Sequence, residues 1–298
     1  MFDADRLRRI VPWVLRIGWV AVLLLGGTAI DGALADTAGG PADATRWLCL
    51  AGWIVGVAAM AVPAATTLTA TRLVVPLAVP VAVLAWSAGA DAVDGAAFLG
   101  AAIITSVVAG SSALGRGFVQ ASAYGDEDRH LLRPPVAYLA VATLAWVIWA
   151  VATLLTGVMA ANGETVWALV FGGVTLAGGV LLFPRWHRLT RRWIVLVPVG
   201  VVIHDHVVLA ETLMLRRQEI ARMGLALAGT DAADFTGPTS GHAVEIRTNE
   251  SITALVSLVP GAPSGSAIHL TGCLIAPTRP GQVLAAATER RFPVGAIG

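Results

Sequence analysis

The chain has 298 residues, of which 56% are hydrophobic and only 13% are charged, and its mean hydropathy is +0.76. Soluble globular proteins carry roughly twice that charged fraction, so the composition excludes a water-soluble fold for most of the chain. The net charge of +1, without a basic segment interleaved with aromatic residues, argues against a nucleic-acid partner. All 20 basic residues are arginines, and the bulk of Ala, Val, Leu and Gly is typical of GC-rich bacterial genes.

Six apolar runs dominate the first two thirds of the sequence, and each is long enough to cross a bilayer as a helix. They lie at about residues 11–30, 47–66, 73–90, 96–115, 135–160 and 165–183. The sequence therefore predicts an all-α six-helix membrane bundle within residues 1–192. Pro76 and Pro80 predict a bend in the third run, and Pro63 predicts one near the end of the second. Residues 33–35 resemble a signal-peptidase site, whose cleavage would leave five spans.

The arginines between the runs follow a positive-inside pattern. They gather before the first run and after the second, fourth and sixth runs, whereas the opposite loops collect aspartates and only Arg46 among the arginines. This asymmetry predicts a multi-pass protein of the bacterial cytoplasmic (inner) membrane with both termini in the cytoplasm.

The middles of the runs lack Asp, Glu, His and Lys, which ion-coupled transporters place there as relays and ion sites. A carrier for an uncharged or lipidic molecule stays open, with a cavity that would be lined by Thr66, Thr67, Thr69 and Thr71. Small residues four positions apart predict close helix packing instead, namely Gly52 with Gly56 and Ser111 with Gly115.

Residues 193–298 are too polar to span a membrane and predict a cytoplasmic, mainly-β domain. Alternation and turn signals predict strands, a short amphipathic segment at 218–228, and a closing helix that begins at Pro280. The predicted strands are 193–197, 200–204, 211–217, 242–247, 252–258 and 267–275.

Five to seven antiparallel strands followed by one helix is the order of a pleckstrin-homology-like (PH-like) barrel. The hairpin 193–205, the segment 213–220 and the segment 275–281 carry this likeness. The region resembles the bacterial PH-like domains that follow transmembrane helices in many actinobacterial membrane proteins. The resemblance implies a barrel with a closing helix, and an interaction or regulatory surface for headgroups or peptides.

A basic segment follows the sixth run, where Arg185, His187, Arg188, Arg191 and Arg192 lie beside two tryptophans. Such a segment anchors the last helix by the positive-inside rule, and it also suits anionic lipid headgroups. The lipid-headgroup candidates are Arg188, Arg191 and Arg192. A sheet edge near residues 213–217 is the candidate protein-binding surface.

Two other segments contain groups that often carry chemistry. His204 and His206 lie two apart on a predicted strand and share one face, which makes them weak metal-ligand candidates. A site would need further ligands, such as Glu211 or His242, and the alternative is a polar turn. Residues 126–130 read Asp-Glu-Asp-Arg-His, which suggests either metal or acid/base chemistry or, in our preferred interpretation, a solvated loop.

No catalytic or nucleotide-binding motif is present in the sequence, and no cofactor is predicted. The leading hypothesis is a non-enzymatic membrane protein that displays a cytoplasmic interaction or regulatory domain, with membrane lipids and an unidentified protein as partners. The alternative is a small permease or flippase-like transporter for an uncharged or lipidic substrate, in which the bundle is the active part.

Overall fold

A computed structural model describes residues 4–37, 39–259 and 264–296 of the chain. The chain divides into two compact units, the first made of Met1–Phe118 and Thr143–Arg185, the second of Val119–Ala142 and Trp186–Gly298. In the described residues, six segments are helical, long and apolar enough to cross a membrane, which confirms a multi-pass membrane protein. These candidate spans are Ile10–Ala33, Gly40–Ala61, Ala65–Ser87, Ala92–Gly110, Val136–Ala161 and Thr165–Thr190.

The helices are numbered in chain order. They are α1 (Ala4–Ala33), α2 (Gly40–Ala61), α3 (Ala65–Val74), α4 (Ala78–Ser87), α5 (Ala92–Gly110), α6 (Ser112–Ala121), α7 (Val136–Ala161), α8 (Thr165–Thr190) and α9 (Pro280–Glu289). A 3₁₀ turn at Val75–Leu77 joins α3 to α4, so these three elements together form the third candidate span.

Prolines set the boundaries of the second and third spans. Pro76 lies in the 3₁₀ turn, as the predicted irregularity requires, whereas Pro63 lies between α2 and α3. Because proline lacks a backbone N–H, the second span ends at Ala61 instead of continuing through residue 66. The predicted bounds 47–66 and 73–90 are therefore wrong. The third span begins at Ala65, because α3 starts with a threonine-rich segment that a search for apolar runs leaves out.

Glycines bring the helices of the first unit close together. A Cβ atom at Gly18 would lie 2.7 Å from Oγ1 of Thr105 on α5, and one at Gly56 would lie 2.5 Å from the ring of Trp19 on α1. Gly52 has nothing within 4 Å of a Cβ atom, so only one member of the predicted pair Gly52 and Gly56 lies at a helix contact. Close approach through small residues stabilises helix packing where lipid replaces water.

Two arginines within the spans lie at the C-terminal ends of neighbouring helices. Nη2 of Arg16 donates to the carbonyl of Met60, at 3.0 Å, near the end of α2. Arg72 donates to the carbonyls of Ala109 and Ser111, each at 3.4 Å, at the end of α5. The last carbonyls of a helix lack intrahelical partners and carry partial negative charge, so these guanidiniums have a structural role.

The strands of the second unit are likewise numbered in chain order. They are β1 (Asp128–Leu131), β2 (Arg192–Val197), β3 (Gly200–Asp205), β4 (Leu213–Arg216), β5 (Ile220–Leu225), β6 (Ala233–Asp234), β7 (Val244–Ser257) and β8 (Gly265–Ile275). In the described chain they form two four-stranded sheets, with the orders β1-β2-β3-β4 and β5-β7-β8-β6. Every pairing is antiparallel except that of β6 with β8.

The predicted single barrel is wrong, because the strands of the described residues pair in two sheets and do not close into one barrel. The predicted amphipathic segment 218–228 contains strand β5 instead. A register irregularity between Ile220 and Arg222 places the buried Ile220 and Met223 three residues apart, a spacing that imitates a helix. The segments 242–247 and 252–258 belong to one long strand, β7. The predicted helix at Pro280 is confirmed as α9.

A hydrophobic core joins both sheets and α9. Leu196 and Ile203 contribute to it from the first sheet, Ile246 from the second, and Val283 from α9, and all four are fully buried. Buried residues alternate with less buried ones along β3, and along β2 the same alternation is interrupted by the buried Val195. The second unit therefore has a core of its own, to which two separate stretches of the chain contribute.

Candidate functional site

A group of two exposed arginines and two partly buried histidines lies in the second unit, where α8 ends and β3 ends. We call Arg188, Arg191, His204 and His206 the basic cluster. Nη2 of Arg191 lies 3.4 Å from Nε2 of His204, and the His204 and His206 rings meet edge to face with centroids 4.3 Å apart. Arg188 lies in the last turn of the last candidate span, which ends at Thr190, and Arg191 follows directly after that span.

Sheet register holds His204 in place. Trp193 on β2 is paired directly with His204 on β3, and their rings stack with centroids 4.9 Å apart and planes inclined by 14°. The guanidinium of Arg129 lies over the Trp193 ring, 5.6 Å from its centroid. Nδ1 of His204 lies 3.0 Å from Oγ1 of Thr212, which fixes the ring further.

The surroundings of the two imidazoles disfavour their protonation. Burial, followed by the neighbouring His206 and Arg191, lowers the pKa of His204 to about 4, although Asp205 opposes this shift. Burial and then Arg191 also lower the pKa of His206. At neutral pH both rings are therefore uncharged donors and acceptors, and the positive charge of the basic cluster resides on Arg188 and Arg191.

The two arginines of the basic cluster have few partners within the protein. Both side chains are exposed, and in the described part of the chain Arg188 has no hydrogen-bonding or ion-pairing partner for its guanidinium. The guanidinium of Arg191 lies 3.4 Å from the neutral His204 ring, and it forms no ion pair with any of the described residues. Guanidinium groups bind phosphate and carboxylate oxygens through a planar fork of donors, so this arrangement suits an anion.

The structure differs from the sequence expectation at Arg192. This residue is fully buried, and its side chain forms an ion pair with Asp205, with Nη2 and Oδ2 2.6 Å apart. Nη1 donates to the carbonyl of Arg133. Because β2 begins at Arg192, its side chain points into the core and cannot reach a lipid headgroup.

His204 and His206 come together as their spacing predicts, but their proposed companions do not join them. In the described ranges no three His, Cys, Asp or Glu side chains are close enough to hold a metal ion. The ring nitrogens of His204 instead face Arg191 and Thr212. The observed geometry is that of an aromatic and cationic stack.

The acidic segment 126–130 is part of the β domain, not a free loop. Residues 128–131 form β1, which pairs with β2, and His130 is buried. Asp126 forms an ion pair with Arg290 at 2.6 Å, and Glu127 forms one with Arg129 at 2.7 Å. Oδ2 of Asp128 lies 3.2 Å from Nε2 of His130. The sequence gives little signal for this strand, because it is short and its partner lies more than 60 residues away.

The predicted protein-binding edge is β4, an outer strand of the first sheet. Met214 is 46% exposed there, but the backbone N–H of Arg216 donates to Glu219 at 2.8 Å. Arg217 donates to the carbonyls of Pro198 and Arg290. The exposed apolar surface of this edge is therefore centred on Met214.

Three threonine hydroxyls of α3 donate to backbone carbonyls. The hydroxyl of Thr67 donates to the carbonyl of Val62, that of Thr69 to Ala65, and that of Thr71 to Ala59 on α2. Thr69 and Thr71 are buried, and Thr66 is exposed. Three of the four hydroxyls proposed to line a cavity thus donate to backbone carbonyls.

Comparison with known proteins gives no relative on which to base a function. No family model matches the chain, and neither a curated protein nor a solved structure is significantly similar to it. The class that the fold defines is a multi-pass membrane protein with a β-rich second unit, and the case for function depends on the residues themselves.

Proposed function

We propose that this chain is a non-enzymatic protein of the bacterial cytoplasmic membrane, in which six helices anchor a cytoplasmic PH-like interaction or regulatory domain. In this proposal the basic cluster binds the phosphate of acidic lipid headgroups. The observation that carries it is the pair of exposed arginines, Arg188 and Arg191, at the end of the last span beside uncharged imidazole and indole rings. Each basic residue near an anionic surface contributes about 1 kcal/mol of binding free energy.

The pairing of β1 with β2 supports an even number of membrane spans between these two strands. A hydrogen-bonded ladder cannot form across a bilayer, so residues 128–131 and 192–197 lie on the same side of the membrane. Two candidate spans, α7 and α8, lie between these strands and return the chain to the side from which it left. The arginine distribution supports the cytoplasm as that side.

The PH-like assignment is also part of the proposal. Its support is the order of mainly antiparallel strands in two sheets, followed by the C-terminal helix α9 packed into their core. Folds of this kind serve many functions, so the site carries more weight than the architecture.

A titration of lipid retention tests headgroup binding. Full-length protein in mild detergent is mixed with increasing phosphatidylglycerol or phosphatidylcholine, and native mass spectrometry counts the lipids retained. We expect preference for phosphatidylglycerol, and we expect replacement of both Arg188 and Arg191 by Ala to weaken it by about 2 kcal/mol, roughly 30-fold. Arg216→Ala, at an exposed arginine on β4, is the matched control and should leave binding unchanged.

Two results would overturn headgroup binding, and a third would show that the cluster binds a free anion. Retention of both lipids to the same extent, or of phosphatidylglycerol by the double variant, would overturn headgroup binding. Competition by inorganic phosphate at millimolar concentration would assign the cluster to a free anion instead of a lipid.

A protein partner is the second part of the proposal, with the Met214 surface as its contact. Affinity purification from native membranes compares wild type with Met214→Glu, which places a charge on this apolar surface. Loss of a specific partner from the variant is expected, and an unchanged partner set would remove Met214 from the proposal.

The alternative of a small permease or flippase-like transporter is tested separately. The hydroxyls of Thr67, Thr69 and Thr71 donate to backbone carbonyls, and Arg16 and Arg72 bond to helix ends, so these groups give it no support. Reconstituted protein that moves a fluorescent lipid between leaflets faster than empty vesicles would favour this alternative.

A further inference from the structure

On three of the sheet edges in the second unit, local contacts occupy outer backbone groups. On β1 the N–H of Arg129 donates to the Gln120 side chain, and on β4 the N–H of Arg216 donates to Glu219. On β5 the N–H of Met223 donates to the carbonyl of Pro293, and its carbonyl accepts from Gly295. Occupied backbone groups hinder pairing of these edges with other chains.

The fourth edge, along β8, is open for seven residues. β6 covers β8 only at Cys273 and Leu274. In the described part of the chain, residues 265–271 make no backbone hydrogen bond other than those of the β7–β8 ladder. We call this stretch the open edge. Its sequence, Gly-Ser-Ala-Ile-His-Leu-Thr, contains no proline and no permanently charged residue, which are the usual protections of an edge.

The bonds on the far side of β7 show which groups of the open edge face outward. The carbonyl of Leu255 accepts from Ala210, and the N–H of Ser257 donates to Val208, so the backbone of Leu255 and Ser257 faces away from β8. In an antiparallel ladder the direction alternates, so Ala254 and Val256 bond to Ile268 and Ser266. The outward-facing backbone groups of the open edge therefore belong to Gly265, Ala267 and His269. The same alternation extends to Thr271, which lies where the register of the ladder shifts.

We propose that the open edge pairs, antiparallel and about a two-fold axis, with the open edge of a second copy of this chain. Copies of a multi-pass protein share one orientation, so a second copy presents the same edge on the same side of the same membrane. A two-fold axis also places like residues of the two copies near one another. Charged residues on such an edge would repel their counterparts, and the open edge carries no permanent charge.

The length of the open edge sets the register. Pairing all seven residues places the axis at Ile268, with Ala267 opposite His269 and Gly265 opposite Thr271 of the other copy. The outward N–H and carbonyl groups then bond to each other, and Ile268 faces its counterpart in a pair without hydrogen bonds, where Cα atoms approach to about 4.5 Å.

The first test measures mass. Full-length protein in detergent is studied by size-exclusion chromatography with light scattering over a range of concentrations. Wild type is expected to be a dimer that dissociates on dilution, and Ala267→Pro a monomer at the same concentrations. Proline at this position removes an outward N–H but no bond to β7, and edge strands tolerate proline. Circular dichroism verifies that the variant is folded.

The second test measures the register by oxidation. In a Cys49→Ala background, Ile268→Cys should form a disulfide-linked dimer, because the two sulfur atoms meet at the axis. Ser266→Cys, on the same strand and face, is the matched control and should stay uncrosslinked because its counterpart lies four positions away. A monomeric wild type, a dimer unaffected by Ala267→Pro, or equal crosslinking of both cysteine variants would overturn the proposal.

Discussion

Arg192 and Asp205 face each other across β2 and β3 and form a fully buried ion pair, with Nε to Oδ1 at 2.7 Å and Nη2 to Oδ2 at 2.6 Å. Asp205 also accepts from the backbone N–H of Val207, and Arg192 donates to the carbonyl of Arg133. The pair and the bond to Arg133 thus link the start of β2 to the segment that follows β1.

Removing one member of this pair should strongly destabilise the second unit. Asp205→Ala leaves a buried guanidinium without its counter-charge, a loss of about 3–5 kcal/mol in the free energy of unfolding. Asp231→Ala is the control, because Asp231 also pairs with an arginine, Arg247, but its side chain is 81% exposed, and exposed pairs contribute less than about 1 kcal/mol. Unfolding of the full-length protein followed by tryptophan fluorescence measures both, and similar effects would contradict a structural role for the buried pair.

A second prediction concerns the contact between α1 and α2. Trp19 and Trp53 each donate an indole N–H to the other's backbone carbonyl, at 3.0 and 2.8 Å, and Gly56 leaves room for the Trp19 ring. Gly56→Ala should therefore lower stability by about 1–3 kcal/mol through overpacking. Gly52→Ala, one turn earlier and facing open space, should be neutral or slightly stabilising. The midpoint temperature of unfolding in detergent distinguishes them, and equal midpoints would show that α1 does not pack at Gly56.

A third prediction is a loss of stability in mild acid. The pKa of His204 falls from 6.5 to about 4 on folding, chiefly through burial. The unfolded chain therefore binds a proton more readily, and stability that is complete above about pH 6.5 decreases as the pH falls toward 4. His204→Gln should flatten this part of the pH profile, whereas His269→Gln, at an exposed histidine, should not. An unchanged profile in His204→Gln would show that another group controls the response.

Periodicity and composition identified most elements of this protein. Runs of apolar residues predict all six spans, since a helix must be apolar along its length to cross hydrocarbon. Alternation predicts the hairpin of β2 and β3, and Pro280 predicts the start of α9. The segment after the sixth span was identified as basic for the same reason, because charge is a local property of sequence.

Tertiary structure decided which of those residues face solvent and which strands pair. Nothing local distinguishes Arg192 from Arg188 and Arg191, yet the first is buried against Asp205 and the others are exposed. β1 exists because β2, distant in the chain, supplies its hydrogen-bonding partner, and the irregular register of β5 gave its residues a helical spacing. Contacts between residues far apart in sequence fix these features, whereas propensity and hydropathy record only what neighbouring residues favour.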